Sequence, residues 1–348
     1  MGKLHEVINF GTYFFCALSI LEESLKISEE DIIQVLVGLP EDKKHYSNLG
    51  VKALRNAIDN YYSKEKKEMS LKITTLIENN SDENSLLINE HGLSLYIEID
   101  EIKILFDTGQ SGDFIKNAEK LKIDLNNLDY VILSHGHYDH TGGFRKLVEN
   151  TRNSFKLIVG NGFFDKKYKL LESDEYKFNG NSFDEKFIDV NNISTKYINQ
   201  DSFNITEDVI LFSNFERNTD FEVLNKKFYI KQNDEYMSDD FSDEIALAIK
   251  TEKGLVVILG CSHVGVVNIL KTIMQRTGMG IYCVVGGSHL IEADELRLNN
   301  TINFLKEKDI QVLRLSHCTG ENAIRKLQYE FGNKFVYNNT GNSIFFKN

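Results

Sequence analysis

Apolar residues between about Leu4 and Lys67 recur at helical spacing, as in Ile32-Ile33, Val35-Leu36-Val37 and then Leu49, Val51, Leu54, Ala57, Ile58 and Tyr61, so this region is expected to be all-helical. Ser28 before Glu29, Glu30 and Asp31 supplies an N-cap with an acidic first turn, and Gly38-Leu39-Pro40 closes that helix. Tyr62–Met69 is charged and has no apolar stripe, which puts a domain boundary there: a small helical domain over 1–67 and a second domain over 70–348. From Leu71 the pattern changes to short β-rich segments, Leu71–Ile77, Leu93–Ile99 and Ile102–Phe106. Helix and strand patterns then alternate through Asp113–Leu121, Tyr130–Leu133, Gly143–Glu149 and Phe155–Val159, which means a layered α/β structure. Phe163–Asp240 has no sustained period and is expected to be a long excursion of loops and irregular strands beside a site. Regularity returns with strands Glu244–Lys250, Leu255–Leu259, Ile281–Val285 and Val312–Leu315, interleaved with helices Val264–Gln275, Asp294–Lys308 and Glu321–Phe331.

Composition narrows the class. With 41% hydrophobic and 26% charged residues over 348 positions, the chain is neither disordered nor fibrous. Forty Lys+Arg against 52 Asp+Glu give a formal charge of -12, which disfavours nucleic acid and anionic membrane as partners and leaves a small molecule. The four cysteines, Cys16, Cys261, Cys283 and Cys318, form no C-x-x-C pair and fit a reducing cytosol better than a disulfide framework. The most apolar run, Ile8–Leu21, is shorter than the roughly 20 residues of a membrane helix. Glu22-Glu23 follows where a signal cleavage site would lie, so a buried helix and a cytoplasmic location are expected.

The chemistry concentrates in Leu133-Ser134-His135-Gly136-His137-Tyr138-Asp139-His140-Thr141-Gly142-Gly143, three histidines and an aspartate directly after an apolar strand. Imidazole and carboxylate are ligands that Zn, Fe and Mn accept. His135 and His137, two apart, can share one face while Asp139 and His140 turn to a second position, a spacing that suits two metals. Three more strands end in comparable loops: Gly260-Cys261-Ser262-His263, Gly286-Gly287-Ser288-His289 and Ser316-His317-Cys318. Each puts a histidine at the carboxyl end of a strand, the edge where sites assemble in layered α/β folds. Phe106-Asp107-Thr108-Gly109 ends a strand too. Asp107 could ligate, accept a hydrogen bond from a ligand histidine or cap the helix near Asp113, and the second role is favoured. Cys261 stays open between thiolate ligand and small core residue, and Cys318 is assigned to packing.

HGHYDH, after a strand and before TGG, resembles the H-x-H-x-D-H signature of the metallo-β-lactamase superfamily, and FDTG resembles its first motif; the resemblance spans roughly Leu71–Asn348. The runs FDTGQSGDF, LDYVILSHGHYDHTGGF, GLVVILGCSHVGVVNIL, VVGGSHL and LSHCTG are most similar to the branch of 7,8-dihydropterin-6-yl-methyl-4-(β-D-ribofuranosyl)aminobenzene 5'-phosphate synthases. The resemblance implies an αββα sandwich with two divalent ions, zinc first and manganese or iron as alternatives, at one edge of the sheets. It places His135, His137 and His263 on one metal and Asp139, His140 and His317 on the other, with Cys261 where many members have a bridging Asp. It also implies either hydrolysis or displacement of a diphosphate group on a small phosphorylated or pterin-like substrate. In such a site Asp139 takes or returns the proton of the attacking water, and His289 binds substrate. Gly286-Gly287-Ser288 and Ser111-Gly112 are candidate phosphate cradles through their backbone N–H groups.

A second resemblance lies in the helical amino-terminal region. Gly38–Gly50, GLPEDKKHYSNLG, is similar to the carboxyl-terminal part of NifU/IscU-type iron–sulfur scaffolds, where the pattern reads L-P-x-x-K-x-H-C-S; the match runs from about Cys16 to Lys64. Tyr46 stands where that pattern has its ligand cysteine, and thiolates are what hold such clusters. The region is therefore expected to serve docking or dimerisation rather than cluster assembly. Two other classes compete with the hydrolase or transferase reading. A flavodiiron-like oxidoreductase would carry Glu where this chain has His137, and a non-catalytic binding or regulatory protein would have no need of intact His135, His137, Asp139 and His140.

Overall fold

The computed structural model describes residues 69–82, 85–152 and 154–347, together with Lys26, Ser28, Val51, Lys52, Arg55, Asn56 and Ile58. The chain divides into two compact units, Met1–Glu68 and Met69–Asn348. The expected amino-terminal helices, Cys16 and Tyr46 lie outside the described residues apart from those few positions.

In the second unit, strands of three to eight residues, most of them apolar, form two large sheets. The first has seven strands: β1 (Ser70–Ile77), β2 (Ser94–Ile99), β3 (Ile102–Phe106), β4 (Tyr130–Leu133), β5 (Lys156–Gly160), β8 (Thr195–Ile198) and β17 (Ser343–Lys347), in the order β17-β1-β2-β3-β4-β5-β8. The second has six: β9 (Ser202–Asn204), β10 (Val209–Phe212), β13 (Ala246–Thr251), β14 (Gly254–Leu259), β15 (Ile281–Gly287) and β16 (Val312–Ser316), in the order β16-β15-β14-β13-β10-β9. Side chains alternate between faces. Val256 and Ile258 of β14 join Ile104, Ile132 and Ile158 in the core between the sheets, whereas Leu255, Val257 and Leu259 join the outer core with the helices Val266–Thr277 and Glu295–Glu307. On the opposite outer face, Val131 and Leu133 pack with Phe114, Phe144, Leu147 and Ile188 of three further helices. The layers are therefore helix, sheet, sheet, helix, the sandwich that the sequence resemblance implies.

The Phe163–Asp240 expectation needs correction. This region supplies β8, β9 and β10 to the two large sheets and forms the whole of a third, four-stranded sheet: β6 (Lys166–Leu170), β7 (Tyr176–Phe178), β11 (Phe228–Gln232) and β12 (Glu235–Ser238), in the order β12-β11-β6-β7. Its strands are three to five residues long and largely solvent-facing. A buried period of two has no length in which to show.

Strands β3, β4 and β5 run parallel, as do β14, β15 and β16, so their carboxyl ends open on the same kind of edge. That arrangement positions the site.

Candidate metal centre

Each strand-end loop makes a tight exit. Asp107, Ser262, His289 and His317 all have positive φ, between 46° and 64°, a left-handed conformation that costs a non-glycine residue on the order of 1–3 kcal/mol and clusters at functional sites. At Gly260 a side chain is excluded outright, because a Cβ would stand 2.1 Å from Ser134 Oγ. The missing side chain lets the end of β14 close on the end of β4.

These exits bring the histidines together. His135 Nε2 lies 3.1 Å from His137 Nδ1, and the His263 ring is 4.9 Å from His135 and 4.7 Å from His137, centroid to centroid. His140 Nε2 lies 3.2 Å from His317 Nε2, and Asp139 Oδ2 is 3.3 Å from His317 Nε2 and 3.8 Å from His140 Nε2. Cys261 Sγ sits 3.1 Å from His140 Nε2. Donor atoms of Asp139, His140, Cys261 and His317 lie within 4.8 Å of one another, as do those of His135, Cys261 and His263, and those of Cys261, His289 and Cys318. Cys261 belongs to all three groups. Cys318, assigned to packing from the sequence, is buried among these donors: its S–H donates to the Cys261 carbonyl, and its sulfur accepts from the His289 amide.

The donor set fits a divalent cation. His137 Nε2 and His263 Nε2 are buried without a hydrogen-bond partner, which is costly unless something else meets their lone pairs. Burial holds His135, His137 and His263 well below the usual imidazole range, so they are neutral donors. Burial also works against charge on His140, yet Asp107 and Asp139 raise it to about 9. Asp139 itself stays well below the carboxylate range despite its burial, with His140, His317 and His91 around it.

Four buried carboxylates brace these loops from behind. Asp107 accepts from Ser134 N at 2.7 Å and Ser134 Oγ at 2.8 Å and lies 2.7 Å from His140 Nδ1. Glu244 accepts from His263 N at 2.8 Å and Val264 N at 2.9 Å. Glu78 accepts from His317 N at 3.4 Å and from the Tyr337 hydroxyl at 2.7 Å, while Asn79 Oδ1 meets His317 Nδ1 at 2.9 Å. Asp243 accepts from Gly136 N at 2.7 Å. Burial raises both Glu78 and Glu244 to about 7. Replacing Asp107 by Ala strands three groups at once; a stability loss of about 3–5 kcal/mol in urea unfolding and a metal affinity lower by about 10- to 100-fold are expected.

The cluster floors a cavity of about 530 Å³, within the roughly 300–1,000 Å³ of small-molecule sites. His137, Asp139, Cys261, His263 and His317 line the floor; Lys169, Lys177, Leu171, Phe228 and Ile291 line the wall, where His289 also faces it. Ser111, Gly287 and Ser288 are not among its lining residues. Ser111 N already donates to Glu90 Oε1, Gly287 N to the Gly260 carbonyl and Ser288 Oγ to Thr319 Oγ1. Two of the amides in the backbone-cradle expectation, those of Ser111 and Gly287, are thus already used within the fold. Sequence reasoning missed His91, whose Nε2 lies 3.2 Å from Asp139 Oδ2 on the cavity side. It precedes a strand rather than ending one.

The model of the metallo-beta-lactamase superfamily matches residues 88–199. Over 290 residues the chain is 31% identical to the 7,8-dihydropterin-6-methyl-4-(beta-D-ribofuranosyl)-aminobenzene-5'-phosphate synthase of Methanocaldococcus jannaschii, covering 80% of this chain and 97% of that protein. The chain belongs to the metallo-β-lactamase superfamily. The crystal structure of Tm1679, a metal-dependent hydrolase of the beta-lactamase superfamily, superposes with a TM-score of 0.69 at 29% identity over 80% of this chain and all of that one. Ahead of the metallo-β-lactamase unit, residues 15–68 match the NifU-like N terminal domain. A stretch of 44 residues, 13% of this chain, is 48% identical to the iron–sulfur cluster assembly scaffold protein IscU 1 of Archaeoglobus fulgidus, of which it spans 29%.

Proposed function

We propose that the Met69–Asn348 unit is a dinuclear metal-dependent enzyme that hydrolyses, or displaces diphosphate from, a small phosphorylated or pterin-like molecule. The observation that supports this reading best is the meeting of two donor groups, one of histidines and one of histidines with Asp139, around the single Cys261 sulfur on a cavity floor. His135, His137 and His263 would hold one ion and Asp139, His140 and His317 the other, zinc being the first expectation. Divalent ions there would act as Lewis acids and bring the pKa of a water towards neutrality.

The chain's own residues supply the rest. Asp139 takes and returns the proton, and His91, half-exposed and 3.2 Å away, passes it to solvent; the Asp139 contact raises the pKa of His91, which suits that exchange. Phe228 and Leu171 offer apolar faces to a flat ring, and Lys169 and Lys177 offer charge to a phosphate. His289 reaches the cavity with its Nε2 3.6 Å from Glu292 Oε2.

Protein purified without added ions should carry two equivalents of zinc or manganese and turn over compounds in a phosphomonoester, phosphodiester and diphosphate-ester screen. Bound iron with oxygen uptake would move the reading to an oxidoreductase. A metal-free protein with no uptake on addition would end it.

A further inference from the structure

Beyond the donor groups, the third sheet meets the metal centre through buried charges that the proposed chemistry does not use. Lys167 of β6 is 1% exposed, and its Nζ donates to Asp239 Oδ2 at 2.7 Å and to Asp243 Oδ1 at 2.9 Å. Both carboxylates are buried. Taking three charges out of water is expensive, and apolar side chains would join two sheets with less loss, so the triad calls for a reason other than adhesion.

Its contacts supply one. The second oxygen of Asp243 accepts from the amide of Gly136, the residue between His135 and His137. A Cβ on Gly136 would stand 3.1 Å from Lys167 Cε, so the lysine stem runs along the same peptide. Lys167 Nζ also lies 5.3 Å from the centre of the Phe241 ring, which stacks on His263 at 4.2 Å and 6° and meets His137 edge-on at 5.8 Å. Two routes therefore lead from one ammonium to the His135, His137 and His263 group. Two residues along β6, Lys169 stands in the cavity wall.

Resting on the dinuclear reading above, we propose that Lys167 is a positioning residue: through Asp243 and Phe241 it sets the geometry of the three-histidine position and ties that position to the wall that β6 gives the cavity. A ligand that shifts β6 then acts on the same histidines. Such outer partners commonly govern metal affinity by about 10- to 100-fold.

The test is titration of the metal-stripped full-length protein with Co(II), read by visible absorption and by affinity. In Lys167→Met one of the two ions should bind about 10- to 100-fold more weakly with an altered spectrum, the other as in wild type, and Lys167→Arg should restore most of the loss. Asp243→Asn should reproduce the Lys167→Met result and serves where that variant does not fold. Asp239→Asn, which leaves the Gly136 contact in place, should lower only the thermal midpoint. Two ions bound by Lys167→Met and Asp243→Asn with wild-type affinity and spectrum, or a loss shared equally by both ions, overturns the positioning role and leaves the dinuclear reading standing. A wild-type protein that takes up no cobalt overturns both.

Discussion

Replacing His137 by Ala should remove one metal ion and lower turnover by about a thousandfold or more. His137 lines the cavity floor with His263, its Nδ1 3.1 Å from His135 Nε2 and its Nε2 buried without a hydrogen-bond partner. A catalytic ion contributes several kcal/mol of charge stabilisation, and every 1.4 kcal/mol or so is tenfold in rate, which sets the size of the loss. Compared with the metal-stripped wild type, the metal-stripped variant should differ little in stability, because the truncated ring is itself an unsatisfied buried group. Metal content by mass spectrometry and initial rates on the same sample check this. Full activity in a His137→Ala protein would remove the site from consideration.

Stripping the ions with a chelator should abolish turnover and lower the thermal midpoint by on the order of 10 °C, both reversed by adding zinc or manganese. An ion held at a thousand times its dissociation constant stabilises the folded chain by about 4 kcal/mol. The buried, neutral and partner-poor imidazoles described above are what the apo protein must otherwise tolerate. Calorimetry with and without chelator measures it, and an unchanged midpoint would argue that no ion is bound in the folded state.

Much of the sandwich and of the histidine cluster was legible in the sequence because both use strong local punctuation. Apolar tetrads such as Val256–Leu259 are followed at once by Gly and His, so strand and candidate ligand are read together. Helix Glu321–Phe331 was readable to the residue from its apolar period and Gly320 and Gly332 at its ends. Supports arriving from far along the chain left no such mark. Nothing local distinguishes Glu244, Glu78 or Asp243 among 52 acidic residues, since their role is defined by a backbone amide elsewhere. Lys167 looks like any lysine of a KKYK run, and its burial depends on Asp239 and Asp243, more than 70 positions away. His91 and the wall residues Lys169, Lys177 and Phe228 fell outside a rule that looked only at strand ends. The amides of Ser111 and Gly287 show the opposite limit, for glycine and serine at a turn say that amides are near the surface without saying whether the fold has already used them.

The pairing of β17 with β1 bears on how the protein is made. Ile73 faces Ile344 across that ladder, Thr340 Oγ1 accepts from the Glu78 amide and Tyr337 donates to the Glu78 carboxylate that steadies His317. During synthesis the first strand of this unit must wait for some 270 residues before its outer neighbour leaves the ribosome, a delay in which its bare edge is open to wrong partners. The cavity floor is therefore completed only once Tyr337 and β17 have been made, and nascent chains halted short of Tyr337 should neither capture metal nor resist protease as the full chain does.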